Sequence, residues 1–138
     1  MSDCIFCKIV QGEIPSKKVY EDSDFLGFID IRPVSKGHVL LIPKEHYETF
    51  LDLPDKFHGP FSIALQNVAK AVVKATKAEG LNIGLNVNKA AGQEVFHVHY
   101  HVIPRFESDS LAQWARSTYD AGEDAEFAEK IGSFLKDE

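Results

Sequence analysis

The segment FHVHYHVIPR, residues 96–105, constrains the fold more than any other part of the chain because it alternates two kinds of side chain. Successive residues of a strand point to opposite faces of a sheet, so His97, His99 and His101 are expected to share one face. The valines and the tyrosine between them would share the other face and belong to the core. The alternation predicts a strand over residues 95–104 that carries three of the six histidines on its polar face.

Hydrophobic spacing and turn residues predict the other elements. Between residues 54 and 79 the apolar positions recur at intervals of three and four, which indicates one long amphipathic helix that ends at Gly80. Short runs rich in β-branched and aromatic residues indicate strands. We expect an α+β fold, in which an antiparallel sheet of about five strands packs against the long helix. The strands are predicted over residues 18–21, 25–31, 37–43 and 81–87, with helical turns over 4–9 and 46–53 and a C-terminal helix over 124–135.

The distribution of charge separates a balanced body from an acidic tail. The chain has 138 residues, the length of one domain, and a net charge of −6. Residues 1–106 contain 12 acidic and 12 basic residues, whereas residues 107–138 contain 9 acidic and 3 basic residues. An acidic protein is a poor partner for duplex nucleic acid, but a neutral body permits a local site for a small anion.

The sequence contains neither a membrane span nor a secretory signal. No run of about 18 apolar residues occurs, and the N-terminal MSDCIFCKIV lacks the basic-then-apolar order of a signal peptide. We expect a cytoplasmic protein that binds neither membranes nor nucleic acid.

Three histidines on one face of a strand have three interpretations. They can be a polar face without function, or they can bind a metal ion, because strand histidines two apart are a familiar pair of ligands. They can also serve nucleophilic catalysis, in which one imidazole attacks while its neighbours orient it and bind the charge that it faces. The residue pattern alone leaves all three open.

The order His-apolar-His-apolar-His-apolar-apolar, which residues 97–103 follow, resembles the signature of the histidine-triad (HIT) nucleotide hydrolases and transferases. The resemblance extends through CIFCKIVQGEIPS, FIDI, GHVLLIPKEH and NKAAGQ, and so covers residues 3–105. It implies a HIT domain over residues 1–106, with the acidic tail, residues 107–138, packed on or near it. The small size and the N-terminal segment are similar to the Hint-like branch, which implies a homodimer.

The resemblance implies a role for each of three histidines. His99 is similar to the nucleophile that attacks the α-phosphorus of a nucleotide and forms a nucleotidyl-histidine, which water then hydrolyses. A backbone carbonyl, here that of His97, fixes the tautomer of this imidazole. His101 and His38 match the histidines that stabilise charge on the phosphoryl oxygens.

Contacts with the purine nucleotide are also implied by the resemblance. Asp30 matches a residue that accepts hydrogen bonds from the ribose, and Asn88 matches a polar residue near the nucleotide. Gln93 and Glu94 occupy phosphate-contacting positions, where many members have Ser or Thr in place of Glu94. Because a carboxylate repels phosphate, protonation of the leaving group by a hydroxyl cannot be transferred to this chain. The apolar walls around the base are expected to be Phe6, Ile9, Phe28, Ile31 and Leu40.

Cys4 and Cys7 form C-x-x-C, a motif shared by redox pairs, disulfides and halves of zinc sites. A thioredoxin-like pair should follow a strand, and no strand is predicted before Cys4, while a cytosolic disulfide is rare. Zinc requires two more ligands. The resemblance to zinc-containing bacterial HIT proteins and to galactose-1-phosphate uridylyltransferases implies His46 and His97, which completes a closed, structural site.

These features predict a nucleotide hydrolase that cleaves nucleoside phosphoramidates or related nucleotidyl compounds. A dinucleoside polyphosphate hydrolase or a nucleotidyl transferase would use the same His99 and differ in the leaving-group pocket. Two other classes stay open: a nucleotide-binding regulatory protein with little catalysis, and a metalloenzyme in which all three triad histidines bind metal.

Overall fold

The computed structural model describes residues 3–135, within which five strands and three α-helices occur. The helices are α1 (Ile5–Val10), α2 (Asp55–Thr76) and α3 (Glu123–Leu135). The strands are β1 (Lys18–Glu21), β2 (Phe25–Ile29), β3 (Val39–Pro43), β4 (Gly80–Gly84) and β5 (Tyr100–Arg105). Short 3₁₀ helices lie at Phe50–Asp52 and Lys89–Ala91. The predicted α+β class is confirmed.

The five strands form one antiparallel sheet in the order β1-β2-β3-β5-β4. β2 pairs with β3 along its whole length. β5 lies between β3 and β4, so His101 is opposite Leu40 on one side and Gly84 on the other. The strand that carries His101 is therefore internal, whereas β1 and β4 are the edges of the sheet.

α2 packs on one face of the sheet and forms the larger core. Its apolar positions recur at helical spacing, as the sequence predicts, and so place one stripe of the helix against the strands. Val102 of β5 is fully buried there, on the face opposite His101. The buried residues that α2 contributes are Phe57, Phe61, Ala64, Val68, Ala69 and Val72.

The opposite face of the sheet carries α1 over β2 and β3. Phe6 of α1 packs into a second cluster with Leu26, Phe28, Leu40 and Ile42. Its ring meets the ring of Phe28 edge to face, with centroids 5.5 Å apart. α1 therefore covers the part of this face that adjoins the segment carrying the histidines.

The strand of histidines begins later than the sequence predicts. β5 starts at Tyr100, so His97 and His99 lie in the irregular segment before it. The N–H of Val98 donates to the carbonyl of Tyr47, at 2.8 Å, instead of pairing with a strand. The prediction of a strand over residues 95–104 was therefore wrong in its first half, because a loop supplies the backbone partner there.

The long helix also ends before the predicted position. Lys77 adopts a left-handed conformation with a φ of 61°, and its N–H donates to the carbonyl of Val73 at 2.8 Å. Gly80, which was expected to end the helix, instead begins β4. β2, β3 and β4 are each shorter than predicted, and the helical turn over residues 46–53 is reduced to Phe50–Asp52.

The tail contains the predicted C-terminal helix, α3, on which no side chain is buried. Phe127, Ile131 and Phe134 on this helix are exposed. Packing of the tail on the domain stays a prediction. None of the helices within residues 3–135 combines the length and the apolar character needed to cross a membrane.

The backbone conformation at position 37, just before His38, should require a glycine. Its φ is 100°, and a Cβ atom there would lie 2.6 Å from Cγ2 of Thr76 on α2. We expect Gly37→Ala to lower the free energy of unfolding by about 2 kcal/mol or more, through left-handed strain and the steric clash. Urea denaturation followed by circular dichroism measures this change.

Gly132→Ala is the matched control because a Cβ atom at this position, on the exposed α3, would have nothing within 4 Å. Its midpoint should equal or exceed that of the wild type, since alanine favours a helix. An unchanged midpoint for Gly37→Ala would mean that the loop can move away from α2 without any loss of stability.

Candidate active site and metal centre

His99 is held in one tautomer by a backbone carbonyl. Its Nδ1 lies 2.8 Å from the carbonyl oxygen of His97. A carbonyl can only accept a hydrogen bond, so Nδ1 carries the proton and Nε2 carries the lone pair. The imidazole is buried, and the ring of Phe6 meets it edge to face at a centroid distance of 5.1 Å. His99 therefore presents an unprotonated nitrogen in a fixed orientation.

His38 and His101 form a hydrogen-bonded pair, and each carries its proton on the nitrogen that is unprotonated in His99. The N–H of Val34 donates to Nδ1 of His38 at 3.1 Å, which places the proton of a neutral His38 on Nε2. That nitrogen donates to Nδ1 of His101 at 2.9 Å. A neutral His101 then carries its proton on Nε2. Its ring centroid lies 5.1 Å from that of His99, so a ring with its proton on Nε2 lies next to a ring with its lone pair on Nε2.

Burial keeps these imidazoles uncharged at neutral pH. It lowers the pKa of His99 and is also the main cause that lowers the pKa of His38. Burial, together with repulsion from His99 and His38, lowers the pKa of His101 to about 4. An uncharged imidazole is the nucleophilic form, so the environment favours attack by His99.

Two carboxylates partly offset the effect of burial on His99. The charges of Asp30 and Glu94 both act to raise its pKa, against the larger effect of desolvation. Asp30 is half-buried, and its Oδ1 accepts a hydrogen bond from the N–H of Arg32 at 2.9 Å. Glu94 is exposed. Both carboxylates would stabilise a positive charge that develops on His99.

A buried apolar cluster adjoins His99 on the side of α1. Phe6, Phe28 and Leu40 are buried together in the second core cluster, and Ile9 is half-buried against it. Ile31 is 87% exposed and lies outside this cluster. Four of the five residues that were predicted to surround the base therefore share one region, and contact of the exposed Ile31 with the base stays a prediction.

The loop before the triad is shaped by the side chain of Gln93. Its buried amide nitrogen donates to the carbonyls of Glu48, at 2.7 Å, and Val95, at 3.0 Å. Its amide oxygen accepts from the N–H of Asn88 at 2.8 Å. Both amide hydrogens are thus engaged by the backbone. Sequence reasoning missed this role in shaping the loop, and the contact of Gln93 with phosphate stays a prediction.

Four side chains converge beside the triad and can hold a metal ion. The ligand atoms of Cys4, Cys7, His46 and His97 all lie within 4.8 Å of one another. Nδ1 of His97 lies 3.4 Å and 3.6 Å from the two cysteine sulfurs and 3.2 Å from Nδ1 of His46. Ordinary zinc bond lengths in a tetrahedron require about 3.6 Å between nitrogen and sulfur and about 3.3 Å between nitrogens. The donor set and its spacing therefore fit zinc.

The contacts around the cluster also favour coordination. Nε2 of His97 donates to the carbonyl of Pro43 at 2.8 Å, so the lone pair on Nδ1 faces the cluster. Burial, reinforced by Cys4, raises the pKa of the Cys7 thiol to about 11. Two adjacent thiolates in this environment would need a cation to stabilise them.

Two backbone groups of the site were not predictable from residue type. The N–H of Val34 sets the tautomer of His38, and the carbonyl of Pro43 sets that of His97. Every residue but proline has both groups, so neither contact leaves a signal in the sequence.

Comparison with known proteins agrees with this geometry. The family model for the HIT domain matches residues 11–108, which include His38 and the whole triad. The chain belongs to the HIT family. It is 44% identical to the adenylylsulfatase HINT3 of Arabidopsis thaliana over 114 residues, which are 83% of this chain and 57% of that protein. It is also 44% identical to the adenosine 5′-monophosphoramidase HNT1 of Saccharomyces cerevisiae over 107 residues, which are 78% of this chain and 65% of that protein.

Solved structures of HIT proteins share the fold. A protein from Streptococcus mutans is 45% identical, with a TM-score of 0.90, and the match covers 98% of this chain and 87% of that one. A zinc-bound histidine triad family protein from Mycobacterium smegmatis is 38% identical, with a TM-score of 0.76, over 99% of this chain and 97% of that one. The predicted HIT fold is therefore confirmed.

The low pKa of His101 predicts a loss of stability in acid. A histidine whose pKa is lower in the folded chain than in the unfolded chain takes up its proton more readily when unfolded. Its contribution is complete above the unfolded pKa of 6.5 and is lost as the pH falls toward 4. We expect the free energy of unfolding, measured by urea denaturation, to fall over this interval.

His101→Asn isolates that contribution because asparagine does not titrate. The decline between pH 6.5 and pH 4 should be smaller in this variant than in the wild type. Parallel declines in the two proteins would contradict the role given to His101.

Proposed function

We propose that the chain is a nucleotide hydrolase that cleaves purine nucleoside phosphoramidates or related nucleotidyl compounds at the α-phosphorus. One observation carries the proposal: His99, whose Nε2 carries a lone pair, and His101, whose Nε2 carries a proton, have ring centroids 5.1 Å apart. An α-phosphoryl group at this point would meet a nucleophile and a donor for its oxygens. The relatives named as a phosphoramidase and an adenylylsulfatase support the same type of reaction.

In the first step, the lone pair on Nε2 of His99 forms a bond to the α-phosphorus, and the bond from phosphorus to the leaving group breaks. The leaving group departs with the bonding electrons and takes up one proton from the solvent. His101 donates its Nε2 proton in a hydrogen bond to a phosphoryl oxygen, while His38 keeps that tautomer in place. The positive charge on the nucleotidyl-imidazole is stabilised by the His97 carbonyl and by the carboxylate of Asp30.

In the second step, water attacks the same phosphorus and the bond to His99 breaks. The bonding electrons return to Nε2, and the water loses one proton to the solvent, which balances the proton taken up in the first step. The products are a nucleoside monophosphate and the original imidazole, which has kept its proton on Nδ1 throughout. The two steps together consume one water molecule and transfer no electrons.

The nucleoside is proposed to lie over β2 and β3. The apolar cluster beside α1, which includes the buried Phe6 and Phe28, would lie against the base. Asp30 has free lone pairs on its carboxylate in addition to the one that Arg32 uses, and it would accept hydrogen bonds from the ribose. Asn88 and Glu94, both exposed on the loop before the triad, would lie near the phosphate. Glu94 would act there by stabilising the charge on His99 rather than by binding the phosphate.

We infer that zinc occupies the cluster of Cys4, Cys7, His46 and His97. The spacing of these ligand atoms and the zinc-bound relative from Mycobacterium smegmatis support the inference. When bound, zinc would join the start of the chain to the segment before β5 and leave no ligand position for substrate. His97 would then be immobilised at its ring, which holds its carbonyl in position for His99.

A homodimer in the cytoplasm stays a prediction. β4 is an edge strand, Ile83 on it is 48% exposed, and α3 has an exposed apolar side, all of which support association of two copies.

Replacement of His99 tests the mechanism. We expect His99→Ala to lower kcat for AMP release from adenosine 5′-phosphoramidate by at least about 10³-fold, because no other group can form the covalent intermediate. The wild type, quenched rapidly without acid, should show a nucleotidyl adduct by intact-protein mass spectrometry, and the variant should show none.

His58→Gln is the matched control because His58 lies on α2 and makes none of the hydrogen bonds of the site. It should retain the activity of the wild type. Equal activity of wild type and His99→Ala would disprove the mechanism, whereas AMP binding without turnover in the wild type would favour a regulatory nucleotide-binding protein.

Removal of one thiolate tests the metal site. We expect the wild type to contain about one zinc ion per chain by elemental mass spectrometry and Cys7→Ser to lose most of it, since serine is a poor zinc ligand. His101→Asn, which alters a nearby histidine outside the cluster, should keep its zinc. Full zinc content in Cys7→Ser would rule out the proposed ligand set.

A further inference from the structure

The two cysteines of the chain lie three residues apart at the start of α1, and they differ in exposure. Cys4 is the N-cap residue of the helix, and its side chain is half-buried. Cys7 lies in the first turn and is buried. The N–H of Cys7 donates to Sγ of Cys4 at 3.4 Å, and the two sulfurs lie within 4.8 Å of each other. Solvent therefore reaches one sulfur, while the other lies next to it in the interior.

This arrangement is one that reversible oxidation of thiols requires. Disulfide oxidoreductases use the C-x-x-C spacing to form and break a disulfide. Thiols that are sensitive to oxidation are accessible, are present as thiolates and have a second cysteine beside them to resolve the oxidised sulfur. The zinc that is proposed for this cluster would keep both sulfurs as thiolates. Because the chain has two cysteines, one intramolecular disulfide is possible.

The cysteines are linked to the proposed nucleophile, His99, in two ways. Nδ1 of His97 faces the two sulfurs at 3.4 Å and 3.6 Å, and the carbonyl of His97 accepts from Nδ1 of His99. Phe6 lies between the two cysteines in α1, and its ring meets the rings of His97 and His99 edge to face, with centroid distances of 5.9 Å and 5.1 Å. A change in the bonding of the cysteines therefore acts on the immediate neighbours of His99.

We propose that Cys4 and Cys7 are a site of reversible oxidation, at which a peroxide converts the two thiolates to a disulfide, releases zinc and lowers the activity of His99. The inference rests on the proposed function, from which it takes the zinc ion and the role of His99. It adds control of that function by the redox state of the surroundings. Disulfides in cytosolic proteins are usually transient, and redox sensing is one of their roles.

The reaction is a two-electron oxidation in two displacements. The Cys4 thiolate attacks one oxygen of hydrogen peroxide, so an S–O bond forms, the O–O bond breaks and hydroxide departs. The Cys7 thiolate then attacks the sulfur of this sulfenic acid, so the S–S bond forms, the S–O bond breaks and a second hydroxide departs. Two protons from the solvent convert the two hydroxides to water. The cysteines lose two electrons, and the peroxide gains them.

The oxidised site would not retain the metal ion. The sulfurs of a disulfide carry no negative charge, so two of the four ligands are lost and the imidazoles of His46 and His97 are left. The ring of His97 then loses its link to α1, and its carbonyl restrains Nδ1 of His99 less firmly. A small thiol can reach the half-exposed sulfur of Cys4 and reverse the reaction.

Oxidation of the zinc-loaded wild type by hydrogen peroxide tests the proposal without any nucleotide. We expect the mass of the denatured protein to fall by two hydrogen atoms and about one zinc ion per chain to be released, as detected with a zinc-binding dye. A thiol reductant and added zinc should restore the mass and the metal content. Zinc that stays bound, or oxygen added to the cysteines without a disulfide in peptide mapping, would overturn the proposal.

Cys4→Asp is the matched control. Aspartate can bind zinc and is favoured at a helix N-cap, but it cannot form a disulfide. This variant should keep its zinc under the same treatment. Release of zinc from Cys4→Asp as fast as from the wild type would contradict the proposal, because the metal would then leave without a disulfide. If aspartate does not hold the metal, the mass and the zinc content of the oxidised wild type decide the question by themselves.

Activity is measured in parallel with adenosine 5′-phosphoramidate. We expect oxidation of the wild type to lower kcat/KM about tenfold, as is typical when groups around a metal ligand are altered, and the reductant with zinc to restore it. Cys4→Asp should have the same kcat/KM before and after peroxide. Disulfide formation and zinc release at unchanged activity would disprove the link to His99.

Failure of the proposed function gives a different result. A zinc-containing wild type that is inert before oxidation would disprove the hydrolase, while its mass and zinc release would still decide whether the cysteines are a site of oxidation. A wild type without zinc would disprove both the metal site and its release by peroxide.

Discussion

The candidate site depends on His97, which makes contacts in three directions. Its carbonyl accepts from Nδ1 of His99, its Nε2 donates to the carbonyl of Pro43, and its Nδ1 faces the two cysteine sulfurs. Because His97 lies outside β5, sheet pairing does not hold it. These contacts therefore hold His97 in place of the hydrogen bonds that a neighbouring strand would supply. If these contacts were lost, the backbone at His97 would be less restrained, and its carbonyl would hold the tautomer of His99 less firmly.

Burial and hydrogen-bond direction together give the three remaining imidazoles different properties. In water, neutral imidazoles exchange between two tautomers. Here the N–H of Val34 selects the tautomer of His38, and the hydrogen bond from His38 in turn selects the tautomer of His101. The His97 carbonyl selects the other tautomer for His99. Desolvation keeps both rings uncharged. A nucleophile and a donor can therefore be made from the same residue type without any change in the fold when substrate binds.

The sequence patterns correctly predicted those elements whose structure depends on residues close together in the chain. The strand over residues 18–21 matches β1, and the spacing of apolar residues located α2. The start of β5 was wrong because the partner of Val98 is the carbonyl of Tyr47, about fifty residues earlier in the chain, and alternation cannot report such a contact. The set of Cys4, Cys7, His46 and His97 was available only through the family resemblance. The tail begins where the sequence pattern is weakest, and its first residues are held by the Arg105–Asp109 ion pair, which no local pattern indicates.

An acidic protein that binds an anionic substrate must separate its own charges from those of the substrate. Here all of the excess acid is in the tail, residues 107–138, because residues 1–106 contain equal numbers of acidic and basic residues. The two carboxylates that act on His99, Asp30 and Glu94, favour its charged form. In the proposed mechanism that charge appears only once the bond to phosphorus has formed, so these carboxylates would stabilise the intermediate more than the free imidazole. The replacement of a hydroxyl by Glu94 is consistent with this mechanism, because the carboxylate would act on the histidine and not on the phosphate.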